Sequence, residues 1–231
     1  MGGGREVGGK NKAVVLLSGG LDSTVTAYTA KKEGHDIYAL TIDYGQRHKR
    51  EIESARKVAK AIGAKEHRVI KLDLAKFGGS ALTDRRIKVP ETPAHGIPPT
   101  YVPARNTIML SLALAYAEAN GADYIYAGVN AVDYSGYPDC RPKFIKAFQK
   151  LADLATKRTL EGKGITIKTP LINLSKKEIV NLGVKLGAPL ELTWSCYKGK
   201  KKACGKCDSC RLRLKGFKET KIKDPIQYER E

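Results

Sequence analysis

From residue 13 onward, apolar residues fall alternately into short continuous runs and amphipathic stretches. Ala13 to Leu17 is an unbroken apolar run closed by Ser18-Gly19-Gly20, the pattern of a strand buried on both faces. A helix is predicted from Asp22 to about Glu33, with Asp22 or Ser23 as its N-cap and Gly34 just beyond its end. His35 to Asp43 is rich in Ile, Tyr, Leu and Thr and reads as a second buried strand. Ile52, Ala55, Val58, Ala59 and Ile62 recur at helical spacing and predict an amphipathic helix that stops at Gly63. Lys65 to Leu72 alternates as a third strand. Strand, helix, strand, helix, strand implies an α/β fold, a Rossmann-like parallel sheet with helices on both faces.

The pattern changes at Phe77. From there to Ala104 periodicity fades and eight Gly or Pro residues intervene, as expected of a loop that covers an active site. Arg105 to Ala119 is nearly all apolar and predicts a deeply buried helix. Asp123 to Gly128 is a fourth strand, Pro142 to about Leu160 a helix, and Thr166 to Pro170 a short strand. Ser175 to Lys185 follows as a helix, with Ser175 as N-cap and Glu178 in the capping-box position. The expected organisation is a glycine-rich disordered leader at 1–12, a main domain at 13–190, a small subdomain at 191–218 and a tail at 219–231.

Composition narrows the class. A chain of 231 residues with 42% hydrophobic and 29% charged content is ordinary for a globular protein of one domain and an appendage. No apolar stretch is long enough for a membrane span. Met1 to Lys10 lacks the apolar core of a secretory signal, so the expected location is the cytoplasm, where thiols stay reduced. The net charge of +18 is lopsided, because Cys196 to Lys223 holds eleven Lys or Arg against two acids. Such a segment fits a polyanion such as nucleic acid, or equally a solvated face, since no aromatic series interleaves with the lysines.

Three stretches carry candidate chemistry. The first is Leu17-Ser18-Gly19-Gly20-Leu21-Asp22-Ser23-Thr24, a glycine turn between a strand and a helix N-terminus, which is an anion site suited to phosphate. It is neither a Gly-Lys-Ser/Thr P-loop nor Gly-x-Gly-x-x-Gly. The second is Val129 to Arg141, where Asn130, Asp133, Tyr134, Ser135, Tyr137, Asp139 and Arg141 follow a strand end. Rings mixed with amide and carboxylate groups suit a flat heteroaromatic ligand. The third is Cys196, Cys204, Cys207 and Cys210, a C-x7-C-x2-C-x2-C run that can close on one tetrahedral ion. Zinc, an iron–sulfur cluster and disulfides are the competing readings. The missing x3-C-P ending disfavours the cluster and the reducing compartment disfavours disulfides. Cys140 stands apart with no visible base, so a nucleophilic role is not expected. His48, His67 and His95 are scattered, without metal-ligand spacing.

Ser-Gly-Gly-x-Asp-Ser-Thr resembles the pyrophosphate loop of the N-type ATP pyrophosphatases, an adenine nucleotide alpha hydrolase-like fold. Asp43-Tyr44-Gly45-Gln46, Val102-Pro103-Ala104-Arg105-Asn106, the 128–142 loop and Leu190 to Cys210 together resemble the 7-cyano-7-deazaguanine synthases, in order from about Ala13 to Lys218. Ala104 stands where that family usually has glycine. The resemblance implies ATP-dependent conversion of 7-carboxy-7-deazaguanine and ammonia to the nitrile, through carboxylate adenylation and an amide. It implies ATP contacts at 17–24, Asp43, Tyr44, Arg105 and Asn106, with Ser18, Asp22 and Ser23 at the reacting phosphate. Mg2+ shared with Asp22, one structural Zn2+ on the four cysteines and a homodimer complete the expectation. Two rival readings are a transfer-RNA thiolase or lysidine synthase of the same superfamily, and a zinc-bearing nucleic-acid-binding module.

Overall fold

The computed structural model describes residues 10–92, 96–132, 137–199 and 201–229. One sheet is built from β1 (Lys12–Leu16), β2 (Asp36–Asp43), β3 (Glu66–Lys71), β4 (Tyr124–Ala127) and β5 (Thr166–Lys168). Its order is β3-β2-β1-β4-β5 and each pairing is parallel, with Val14 opposite Tyr38 on one side and Ile125 on the other. The chain leaves β1 towards β2 and later returns to place β4 on β1's other side. Ligands gather outside the strand ends at such a switch point.

Alternate residues of β1 serve two cores, as the period of a strand requires. Val14 joins Leu40, Ile42 and Ile125 under α3 (Arg105–Asn120) and α4 (Pro142–Ala155). Ala13, Val15 and Leu17 face the other way, onto α1 (Leu21–Lys32) and α2 (Arg50–Ile62). Beside them, Leu21 and Val25 of α1 pack on Ile179 and Val180 of α6 (Lys176–Lys185) and on Phe217 of α7 (Asp208–Thr220). Among the described residues, no helix is long and apolar enough to cross a membrane.

Several local expectations need correction. The N-cap of α1 is Gly20, without a capping side chain, and not Asp22 or Ser23. The reason is competition: Ser23 Oγ and Thr24 Oγ1 donate back to the Gly20 carbonyl, and Asp22 turns to Lys176. The α3 helix is buried only on its inner side, leaving Ser111, Ala115 and Ala119 exposed. The helix expected over 142–160 breaks after Ala155, where Thr156 is extended. Thr156 then caps α5 (Lys157–Leu160) by accepting from the Thr159 N–H. The strand expected from Thr166 to Pro170 ends at Lys168. The capping box of α6 forms as expected, Ser175 and Glu178 each serving the other's backbone N–H.

Beyond α7 the chain doubles back. The Ala203 N–H donates to the Gln227 carbonyl at 2.9 Å and the Glu229 N–H to the Ala203 carbonyl at 2.8 Å. Arg213, 2% exposed, forks onto Asp224 at 2.8 and 2.9 Å, and Tyr228 donates to the same carboxylate at 2.6 Å. Ile226 and Tyr228 pack on the cysteines.

Candidate active site

The turn after β1 is shaped by close approach. Gly19 has φ +83°, and a Cβ there would lie 2.2 Å from the Glu51 carbonyl oxygen and 2.5 Å from the Ala55 nitrogen. Glycine alone lets the turn rest on α2. Ser18 Oγ donates to Ser23 Oγ at 3.0 Å and accepts the Gly20 N–H at 3.3 Å, tying both ends of the turn together. With no side chain capping α1, its first N–H groups and its positive dipole end face the cavity above the sheet edge. Leu17, Ser18, Gly20, Leu21, Asp22 and Ser23 line that cavity. Gly19 backs onto α2, and Thr24 is buried within α1.

Facing the turn is a wall that sequence reading missed. Lys176, 6% exposed, places its ammonium 2.8 and 2.9 Å from the two Asp22 carboxylate oxygens across 154 residues. Its stem lies against α7, where a Cβ on Gly216 would come within 2.5 Å of Lys176 Cγ. Ser209 and Arg213 of α7 line the same wall. Trp194 closes one side: its backbone N–H donates to the Gly19 carbonyl at 2.8 Å, its indole N–H to the Cys196 carbonyl at 3.1 Å, and the Arg50 guanidinium stacks 3.6 Å above its ring.

Beyond the turn, Tyr44, Glu51, Arg105, Asn106, Asn130, Tyr137, Cys140 and Tyr197 meet around one space. Arg105 is held charged against burial by the surrounding Tyr44, Tyr137 and Cys140 groups, and its Nε is buried without a hydrogen-bond partner. Burial pushes the Tyr44 phenol up to about 12 and the Glu51 carboxyl up to about 7, with Arg105 restraining both. Burial also lifts the Cys140 thiol, to about 11, so it is no ready nucleophile.

The expected substrate loop is brought only partly to this space. Asn130 spends its amide on the Leu171 and Leu174 carbonyls at 2.9 and 2.5 Å. Asp139 accepts the Asn106 N–H at 3.0 Å, capping α3 from a distant part of the chain, and is buried outside the cavity lining. The Asn106 amide returns to the Asp139 carbonyl and to Cys140 Sγ, at 3.1 and 3.3 Å. Tyr137 shares a 2.8 Å hydrogen bond with Thr100 and stacks on Tyr101. Arg141 is exposed at the start of α4, and Asp43 ends β2 between two lining residues, Ile42 and Tyr44, without lining the cavity itself. Asp133, Tyr134, Ser135, His95 and Lys200 lie outside the described residues, as does most of the expected leader.

The four cysteines converge. Their sulfurs are buried, free of disulfides and all within 4.8 Å of one another, with Cys204 and Cys210 Sγ at 3.9 Å. Zinc–sulfur bonds of about 2.3 Å set a tetrahedral edge of about 3.8 Å, so the donor set fits such an ion. Backbone N–H groups of Lys198 and Cys204 point at Cys196 Sγ, and those of Lys206 and Cys207 at Cys204 Sγ, all at 3.3 or 3.4 Å. These donors offset thiolate charge. The His67 ring meets Thr41 Oγ1 at 2.8 Å, and the His48 ring packs on Gly199.

Three comparisons bear on these observations. Residues 12–221 match the family model of the queuosine biosynthesis protein QueC. The chain is 56% identical to a 7-cyano-7-deazaguanine synthase of Pseudomonas syringae pv. tomato, over 95% of this chain and 98% of that one. It is 57% identical to the Saccharophagus degradans protein of the same name, over 94% and 97%. Among solved structures, a predicted tRNA methyltransferase subunit from Methanocaldococcus jannaschii overlaps 75% of this chain and 74% of its own, at 21% identity and a TM-score of 0.48. With the family model and the relatives both spanning nearly the whole chain, this protein belongs to the QueC family of queuosine biosynthesis proteins.

Proposed function

We propose that this chain converts 7-carboxy-7-deazaguanine, ammonia and ATP into 7-cyano-7-deazaguanine. The observation that carries the reading is the meeting, in one cavity, of the uncapped turn at Ser18 to Ser23 with Tyr44, Arg105 and Tyr137. Relatives above half identity that bear the synthase name support the same reading.

A carboxylate is a poor electrophile and must first gain a leaving group. A substrate carboxylate oxygen attacks the α-phosphorus of ATP, and pyrophosphate departs. The N–H groups at the start of α1 receive its charge without proton transfer, and the Ser18 and Ser23 hydroxyls hold the turn that presents them. Lys176 adds an ammonium beside them and Arg105 a guanidinium, each suited to an oxyanion. Ammonia then adds to the acyl carbon, loses a proton and expels AMP, leaving the amide. A second adenylation, on the amide oxygen, lets both remaining N–H protons leave with AMP to form the nitrile. Asp22, once released from Lys176, would offer magnesium a hard oxygen ligand, and bound magnesium would neutralise phosphate charge there. The cysteine set, with all four positions filled by protein, suits a structural zinc. A homodimer in the cytoplasm, using free ammonium, remains our reading of the assembly.

The test is direct. Incubating the protein with ATP, ammonium, magnesium and the carboxylate is expected to yield the nitrile by mass spectrometry. Turnover on transfer RNA with no nitrile would replace this reading with the thiolase or lysidine-synthase alternative.

A further inference from the structure

One carboxylate in the cavity has no task in that scheme. Glu51 lies in the first turn of α2, and its own carbonyl is the group against which Gly19 rests, so its backbone is fixed relative to the nucleotide turn. Its side chain lines the cavity with Tyr44, Arg105, Trp194 and Tyr197. The neighbouring carboxylates are occupied, Asp22 by Lys176 and Asp139 by the Asn106 N–H. Glu51 accepts no hydrogen bond and joins no ion pair among the described residues. Burial raises its carboxyl, with the Arg105 guanidinium opposing the rise. A half-buried carboxylate without donors is costly unless a ligand brings them.

We propose that Glu51 reads the guanine-type edge of the deazapurine, its two oxygens accepting the ring N1–H and a 2-amino N–H. This rests on the deazaguanine reading above and adds a specificity residue to it. The chemistry separates the two rings that must share one cavity. A guanine-type edge presents two adjacent N–H donors, which match a carboxylate pair for pair. Adenine presents one N–H beside a lone pair, which a carboxylate repels. Arg105, of opposite charge in the same space, suits the anionic substituent of the substrate. Glu51 thus sorts the deazapurine from the nucleotide's own base.

Trp194, the chain's single tryptophan, lines the same cavity, so its fluorescence reports binding. The wild type and Glu51→Gln are titrated with 7-cyano-7-deazaguanine and with its analogue lacking the 2-amino group. The wild type is expected to prefer the amino compound by about 10- to 100-fold, the worth of one charge-assisted hydrogen bond. Glu51→Gln should lose about as much affinity for the amino compound and keep little preference, with ATP affinity unchanged within about threefold. Glu51→Asp, which keeps the carboxylate, should bind both compounds more weakly and retain the preference. Unaltered discrimination in Glu51→Gln would overturn the proposal. So would a raised KM for ammonium alone, which would make Glu51 a cation site, or a fall in kcat with binding intact. A wild type that neither binds nor converts deazaguanines would instead remove the underlying functional reading.

Discussion

The glycine turn after β1 and the cysteine segment adjoin each other beside the cavity and are held in opposite ways. The turn at Ser18 to Ser23 is made by its neighbours: β1 is paired on both sides, and Gly19 is pressed onto α2. What it presents to the cavity is backbone N–H groups, there whenever the sheet is folded. Residues 193–199 and 201–207 hold little regular structure and take their shape from four sulfurs and the N–H groups around them. Yet the two meet directly, through the Trp194 N–H on the Gly19 carbonyl. A region made locally and a region made by a cluster therefore share one wall. The second can fail while the first stands.

The largest break in that comparison should come from Cys207→Ser. Structural zinc sites of this type contribute on the order of 10 kcal/mol to the folding of their segment. Losing a ligand should cost the metal, about one zinc per chain in the wild type, and release residues 193–229. The two cores on either face of β1 contain no cysteine of the cluster, so far-UV dichroism of the sheet and helices α1 to α4 should survive. With Trp194 freed from Gly19 and Arg50, its fluorescence should shift red and ATP affinity should fall by about tenfold or more. Unchanged ATP affinity in a zinc-free variant would show that the shared wall carries no coupling, and iron with sulfide on metal analysis would replace the zinc assignment.

Asp22→Ala probes the turn side of the same wall. Nucleotide turnover should fall by at least about 100-fold while the fold persists. Some stability should go too, by about 1–3 kcal/mol, because Lys176 is left as a buried ammonium without that partner. Thermal melts beside turnover assays check both. Normal turnover would take the carboxylate out of the mechanism, whereas lost turnover with no change in melting would confine its role to the ligand.

How much of this was legible follows the same division. The β1 turn, the two-faced sheet and the α6 capping box leave their marks within short spans of the chain, as apolar runs, a glycine pair and a Ser-x-x-Glu spacing, and those spacings revealed them. The cysteines were readable because metal-ligand gaps are short. Lys176 was readable only as the second residue of a helix start, since its partner lies 154 positions away. Asn130 and Asp139 were recognisable as polar residues of a loop, and Asn106 as one at a helix start. Nothing in the sequence said that they would spend their groups on one another and on nearby carbonyls. The break at Thr156 was hidden by a periodicity that runs on through it. Glu51 looked like one more charge on an amphipathic helix until the cavity gave it surroundings.

The smallest expected effect sharpens the comparison from the turn side. Ala104 has φ +52° and ψ +21°, immediately before Arg105 and at the N-cap of α3. A left-handed alanine costs about 1–2 kcal/mol, and glycine removes that strain. Glycine also makes the unfolded chain more flexible, returning about 0.5–1 kcal/mol of the gain. Ala104→Gly should therefore stabilise by about 1 kcal/mol or less, raising the melting temperature by about 2–4 °C at most. Turnover should stay within about twofold, because the start of α3 is already fastened by the Asn106 N–H on Asp139 and by the Asn106 amide on Cys140. A large change in kcat with no change in melting would mean that the strained turn, rather than the Asp139 cap, aims the Arg105 guanidinium into the cavity.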